Sequence, residues 1–342
     1  MTSWLKKIQQ SPRLQFILFG VLLSSMAILP LLGVVRSSTM SIYAYIIIYT
    51  VVALGLNLLL GFSGLISLGT AGFMGAGALG IGVFMNMGLP FELAVVLTLL
   101  VSAMIGAFIG LFSLRVNSIY LAIATLFVGE ILRQIYSQVA IFGGEGINIG
   151  PVRFFGLIEL NRSLRPERSL IFLILVIVLV VMMIVAYNIV KSSTGRALMA
   201  MSRSENAAQA MGVSILKYRL TAFITATLFA TIGGILYGIY FQDAPTRQWD
   251  LNLSLFLIAM VVVGGIKSFF GMFLGVFIVH GLSDLFLKDW LGDVSFIFSG
   301  VLIIVVILFY PYGTVHIWVD FKRFLKYIKS KIDKRKGVTP RG

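Results

Sequence analysis

Cysteine is absent from this 342-residue chain, which rules out disulfides and thiolate metal sites. Histidine is nearly absent, and two residues of that type cannot by themselves furnish a usual metal centre. Charge is scarce too. Only 12% of the residues are Asp, Glu, Lys or Arg, against about 25% in average proteins, so too little polar surface exists to clothe a water-soluble fold. No phosphate-binding loop is present. Gly265-Ile266-Lys267-Ser268 resembles the end of one, but the glycine directly before the lysine and the upstream spacing are missing. ATP and Mg, if used, fall to another chain. Nor is there a clustered nucleophile, base or metal set, so the sequence predicts no enzyme and no bound cofactor.

What fills the chain instead is apolar: 59% of residues are hydrophobic and the mean hydropathy is +1.01. Runs of about 20 apolar residues, the length that crosses a hydrocarbon core, fall near 14–35, 41–62, 68–87, 90–113, 118–142, 169–190, 219–241, 253–267, 270–287 and 294–311. The first run continues past the small-x-small triplet Ser25-Met26-Ala27 to Val35. It is therefore expected as a retained helix rather than a cleaved signal. Around 252–287, Gly264-Gly265 and Gly271 leave two shorter spans or a re-entrant turn open. The expected fold is all-α and polytopic, of about ten transmembrane helices, some broken or re-entrant.

The net charge of +14 would suit nucleic acid if it were clustered on a soluble face, but it follows membrane topology. With ten spans and both termini inside, 19 of the 27 lysines and arginines are cytoplasmic and seven are outside, with Arg133 inside a span. No nucleic-acid partner is expected. Residues 1–13 are then a cytoplasmic N-terminus and 14–315 the membrane domain. That domain carries a cytoplasmic loop at 191–218 and an outer loop at 143–168. Residues 316–342 form a basic tail, with Phe321, Phe324, Leu325 and Ile328 opposite Lys322, Arg323, Lys326 and Lys329. That tail is either an amphipathic helix on the anionic leaflet or a solvated topology anchor.

Thirty-five glycines call for close helix packing, because lipid gives helices no hydrophobic reason to associate. Seams at four-residue spacing run through Gly72-Ala76-Gly80, Ser102-Gly106-Gly110, Ala226-Ala230-Gly234-Gly238 and Gly271-Gly275. The stretch from Asn57 to Gly72 is different, mixing Gly61, Gly64 and Gly69 with Asn57, Ser63, Ser67 and Thr70. It reads either as a broken helix of the kind that builds solute sites or as an ordinary cytoplasmic turn. Glu130 and Arg133 share a helical face and can neutralise each other. They are either functional residues at membrane depth or a half-solvated pair near a span end. His280 and Asp284 make a second such pair, more readily structural than a proton relay.

The loop from Lys191 to Arg219 has the pattern of two short helices. The first begins at Gly195-Arg196-Ala197, and the second is capped by Ser204, runs through Glu205-Asn206-Ala207-Ala208 and closes at Gly212. It is either a docking knob or a solvated linker. At this point the chain resembles the integral membrane permeases of ABC importers for branched-chain amino acids, in particular the longer of their two permease types. The resemblance rests on Ala53-Leu54-Gly55-Leu56-Asn57-Leu58, on Gly61-Phe62-Ser63-Gly64-Leu65-Ile66-Ser67-Leu68-Gly69, and on Tyr120–Leu126 with Gly129-Glu130-Ile131-Leu132-Arg133. Gly143–Ile147, the loop from Gly195-Arg196-Ala197 to Met211-Gly212, and Pro311-Tyr312-Gly313 extend it over residues 41–315.

The resemblance implies a multi-pass subunit of a bacterial or archaeal cytoplasmic membrane. Its implied partners are a second permease, two cytoplasmic ATP-binding subunits and an extracytoplasmic solute-binding protein. It casts Arg196, Glu205, Asn206, Ala207, Ala208 and Gly212 as the ATPase-coupling element, although the glutamate sits one place early against the general importer loop. It also makes Asn57, Gly61, Ser63, Gly64, Ser67, Gly69, Thr70, Glu130 and Arg133 candidates for the translocation path. Thr70 departs from the His common in the family and the Gln frequent in urea-transporting relatives, so urea or a short amide stays open beside hydrophobic amino acids. The acidic segment of the sugar permeases is missing. Ion-coupled secondary transport through Glu130, Arg133 or Asp284 is the competing class.

Overall fold

A backbone surrounded by lipid has to bond its own N–H and C=O groups, so long apolar runs fold as helices. A computed structural model of the chain describes residues 11–27, 37–113, 118–154, 158–161, 164–287, 292, 300–301, 303–306, 308 and 314. Among these residues the helices are α1 (Pro12–Ser25), α2 (Ser37–Leu56, continuing as a π segment over Asn57–Phe62), α3 (Thr70–Asn86), α4 (Phe91–Ser113) and α5 (Ser118–Gln138). They continue with α6 (Arg165–Lys191), α7 (Ser193–Arg203), α8 (Glu205–Ala210), α9 (Ile215–Phe241), α10 (Leu251–Gly264) and α11 (Phe269–Val276). Two π segments, Phe277–Gly281 and Ser283–Leu287, carry α11 onward. The second half of the expected first span, most of the expected last one, Pro311-Tyr312-Gly313 and the basic tail lie outside the described residues.

Among the described residues, four stretches are long and apolar enough to cross a membrane: Thr39–Phe62, Phe91–Leu111, Pro166–Lys191 and Ile215–Phe241. Shorter apolar helices cover Pro12–Ser25, Thr70–Asn86, Leu251–Gly264 and Phe269–Gly281. Helix α5 is of comparable length to α4 yet falls short of the same apolarity over its described residues.

The core forms around α2, which is apolar on every side; 89% of its most apolar window is buried, against 28% for α4. Helices α3 and α9 cross beside it at backbone distance. A methyl group added to Gly234 would sit 1.9 Å from the Met74 carbonyl oxygen, and one on Gly77 would sit 2.1 Å from that of Thr231. The four-residue seams are therefore real contacts, but they are shared among neighbours. Gly72 meets Gly129 of α5, Gly80 meets Thr98 of α4, and Gly106 of α4 meets Thr227 of α9.

The stretch at 252–287 divides into two antiparallel helices. Gly264 approaches Gly271, and Gly275 approaches Met260, so closely that any side chain there would strike backbone. Helix α10 rises only about 21 Å, short of a hydrocarbon core of about 30 Å. Its turn into α11 is tight, with φ of +103° at Gly265 and +72° at Lys267.

The expectation of an all-α chain needs one amendment. The 143–168 loop and the segment after α9 supply strands β1 (Gly146–Asn148), β2 (Val152–Phe154), β3 (Ile158–Leu160) and β4 (Asp243–Pro245). Strand β1 pairs antiparallel with β4, and β2 with β3. Gln242, at φ +56°, ends α9 and donates from Nε2 to the Leu160 carbonyl at 2.7 Å, tying the two strand pairs together.

Candidate functional site

The 191–218 loop folds as a built element, not a slack linker. Ser192 Oγ accepts from Gly195 N at 3.4 Å to start α7, and Ser204 Oγ accepts from Ala207 N at 3.3 Å to start α8. Gly195 lies against the carbonyls of Ile189 and Val190, so α7 folds back on the end of α6 only because no Cβ intervenes. Past α8, Gly212 takes φ +83° and donates its N–H to Gln209 O at 2.9 Å, while Val213 N reaches Ala208 O at 3.0 Å. This is the left-handed stop that glycine supplies.

Beyond the packing of α7, an ion pair ties α8 to the membrane domain: Glu205 bonds Arg219, which is buried on the first turns of α9. Glu205, Asn206, Gln209, Gly212 and Arg219 line an open groove of about 640 Å³. Ala208 is buried beneath it, and Met211 beside it is 85% exposed. Arg196 is not in this group; its guanidinium donates to the Lys191 carbonyl at 3.2 Å. In the sequence Arg219 is only one more loop cation. Fourteen residues separate it from Glu205, and no local periodicity connects them.

The 57–72 stretch is a break mostly buried in protein, with Gly64 and Ile66 exposed. Asn57 is fully buried; its Oδ1 accepts from Lys267 N at 2.8 Å, and its Nδ2 donates to Ser268 O at 3.4 Å. It thereby clamps the α10–α11 turn. Gly61 admits that turn, since a Cβ there would lie 2.5 Å from Asn57 Oδ1 and 3.2 Å from Lys267 N. Beyond the π segment the chain leaves helix, with Gly64 at φ +72° against Ser202 of α7. Ser63, Ser67 and Thr70 are buried. Side-chain oxygens from other helices satisfy the irregular backbone: Leu68 N donates to Thr125 Oγ1 and Ala71 N to Ser254 Oγ, both at 3.0 Å. Gly69 would strike the Thr125 carbonyl if it bore a side chain. Thr125 lies about 10 Å along α5 from Ser118, at the rise of a regular helix.

The candidate path residues therefore form two groups. Asn57, Gly61 and Gly64 face the turn at 265–268 and α7, whereas Gly69 meets α5 and Ala71, next to Thr70, bonds to α10. Glu130 and Arg133 join neither group. They bond each other, with Arg133 Nε donating to Glu130 Oε2 at 2.9 Å, and Gln134 Nε2 adds a bond to Glu130 at 3.2 Å. Both side chains are partly exposed, at 42% for Glu130 and 26% for Arg133. His280 and Asp284 pair at 3.5 Å inside the π segments after α11, with the imidazole edge-on to Tyr45 and Tyr49. Among the described residues no group of three or more His, Cys, Asp or Glu could hold a metal ion.

The family described as "Branched-chain amino acid transport system / permease component" matches residues 38–307, which span the buried break, the knob and the glycine crossing. The chain belongs to that family. It is 32% identical over 301 residues to the high-affinity branched-chain amino acid transport system permease protein LivM of Salmonella typhimurium, covering 82% of this chain and 70% of the relative. A probable LivM of Methanocaldococcus jannaschii is 26% identical over 65% of this chain and 67% of its own length. The autoinducer 2 import system permease LsrD of Escherichia coli K12 is 27% identical over 75% of this chain and 79% of its own length. No solved structure matches significantly. This member of the permease family is an integral membrane protein, and its relatives are permease components of transport systems rather than enzymes.

Proposed function

We propose that the chain is a transmembrane permease subunit of an ATP-driven importer that moves branched-chain or other hydrophobic amino acids inward. It crosses the cytoplasmic membrane about ten times, as the apolar run lengths require, with both termini, the 191–218 loop and the 316–342 tail inside. Its partners are a second permease, two cytoplasmic subunits that bind ATP and Mg, and an extracytoplasmic solute-binding protein. The chain itself binds no cofactor.

The observation that carries this reading is the mechanical continuity between knob and break. Helices α7 and α8 are fixed to α9 by the Glu205–Arg219 pair, and α7 rests on the broken segment where Ser202 meets Gly64. A partner that grips the groove beside Glu205, Asn206 and Gln209 can therefore displace α9 and the 57–70 segment together. That segment's hydrogen bonds run to α5 through Thr125 and to α10 through Ser254, so movement there separates helices deep in the bundle. Arg196, Ala207, Ala208 and Gly212 keep the knob's shape, and Asn57, Gly61, Ser63, Gly64, Ser67, Gly69 and Thr70 shape the path.

Reconstituted complex supplied with its binding protein should accumulate leucine only when ATP is present, and a protonophore should leave the rate unchanged. Uptake that collapses with the protonophore at constant ATP would assign the chain to ion-coupled transport instead. Import of another small solute by the same machinery is the second reading, favoured by Thr70 standing where His is common in the family and by the similarity to an autoinducer 2 permease. The ligand that co-purifies with the binding protein decides between them.

A further inference from the structure

Two neighbouring peripheral helices expose different chemistry. The outward stripe of α4 is Leu93, Val96, Leu100, Met104, Phe108 and Leu111, apolar throughout and suited to lipid. The outward stripe of α5 starts in the same way with Tyr120, Ile123 and Phe127, then mixes the exposed Ile131 and Ile135 with exposed Gln134 and the partly exposed Glu130. Glu130 lies about 18 Å along α5 from Ser118 at a regular helical rise. In the ten-span topology proposed above, α5 starts on the cytoplasmic side, and that distance is still inside a hydrocarbon core of about 30 Å. Acyl chains offer neither donors nor acceptors, so polar groups at such depth face protein or a cavity.

The pair satisfies only part of its own needs. Arg133 takes both carboxylate oxygens of Glu130, and Gln134 donates one further bond, yet Glu130 and Gln134 stay open on their outward side. We infer that the outer half of α5 is the surface on which the second permease packs. The occupant is a membrane-embedded helix of that subunit that presents hydrogen-bonding side chains to Glu130 and Gln134. This rests on the pairing of two permeases proposed above. Internal neutralisation by Arg133 lets the surface enter the bilayer before the partner arrives, while the residual polarity makes lipid a poorer neighbour than protein. Positions 120, 123, 127, 130 and 134 repeat at alternating spacings of three and four. That is the seam along which two helices pack at a shallow crossing angle.

The absence of cysteine makes a clean test possible. In membranes of cells that produce the whole transporter, Gln134→Cys is coupled to a benzophenone maleimide and irradiated, with Met104→Cys on α4 treated in parallel. The expected result is an adduct with the second permease from Gln134→Cys, at least tenfold above that from Met104→Cys. Ile131→Cys repeats the measurement on the same stripe should Gln134→Cys fail to accumulate. Equal adduct levels from α4 and α5 while the two permeases still co-purify would overturn the assignment and leave the pairing standing. So would labelling of Gln134→Cys by a charged thiosulfonate without any adduct, which would give this face to water. Failure of the unsubstituted chains to co-purify would remove the pairing, and the inference with it.

Discussion

Helices α4 and α5 both lie at the edge of the bundle, and their difference shows what an exposed membrane helix can and cannot reveal. In α4 the buried residues Ala94, Thr98, Ser102, Gly106 and Gly110 form one small-residue face toward the protein, and every large exposed residue is apolar. Its exposure needs no explanation beyond lipid. In α5 the inward face is packed just as closely, with Leu121, Thr125, Gly129, Leu132 and Tyr136 turned to the protein, and Tyr136 donating to the Gly72 carbonyl of α3 at 2.9 Å. Its outward face adds the Glu130 carboxylate, held by the mostly covered Arg133, and the Gln134 amide to its apolar residues. A single charged residue at the centre of a spanning helix costs about 2.5–3.5 kcal/mol on insertion scales. Pairing lowers that figure but does not remove the need for a polar neighbour. Equal exposure therefore has two meanings, and polarity separates them.

Substitutions can break or sharpen this contrast. The largest effect is expected away from both outward faces, at the backbone crossing that holds the bundle. Gly234→Leu forces a side chain into the Met74 carbonyl, and with backbone in the way the cost should reach about 3 kcal/mol. Little of that variant should accumulate as monodisperse protein in detergent, and normal yield would mean the crossing is looser than drawn.

On α5, Arg133→Leu strands the Glu130 carboxylate. Transport should fall at least tenfold, and melting of the complex should move down. The paired replacement Glu130→Leu with Arg133→Leu sharpens the point. Removing both charges relieves desolvation and is often neutral for stability, so the chain should accumulate normally. If α5 faced lipid as α4 does, transport would be normal as well. Loss of transport and of permease pairing in the double variant is the expected outcome.

A smaller stability effect, of about 1–2 kcal/mol, is expected for Gly212→Val, because a branched side chain resists φ +83°. The chain should insert, yet ATP hydrolysis and solute uptake should lose their stoichiometric link. Uptake at the normal rate in that variant would remove the knob from the coupling route. The smallest effect belongs to α4. Met104→Ala, on its lipid face, should change melting by less than about 0.5 kcal/mol and uptake by less than twofold.

Much of the fold could be read from the sequence, and for a simple reason. Lipid penalises every unbonded backbone group, so apolar run length maps onto helix length: the run at 90–113 is α4 at Phe91–Ser113, and that at 219–241 is α9 at Ile215–Phe241. The caps of the loop were local too, because Ser204 and Gly212 act on residues within one turn. Contacts between distant segments were not legible. Asn57 and Lys267 stand 210 residues apart, and the bond between them turns an ambiguous polar stretch into a clamp on the α10–α11 turn. The glycine seams told that helices would approach closely, but not that Gly72 and Gly80 of one seam would serve two different neighbours.

The sequence alone determined that this chain belongs in a membrane, where its basic residues gather between apolar runs, and which short segments start and stop helices. Those properties depend on composition and on neighbours within a turn. The tertiary structure decided that most of the 57–70 break is buried, that Glu205 holds Arg219, and that Glu130 of the α5 ion pair is partly exposed while Arg133 is mostly covered. These follow from which helix faces meet, and a one-dimensional pattern of apolar residues leaves that choice open because lipid and protein interior are equally apolar surroundings.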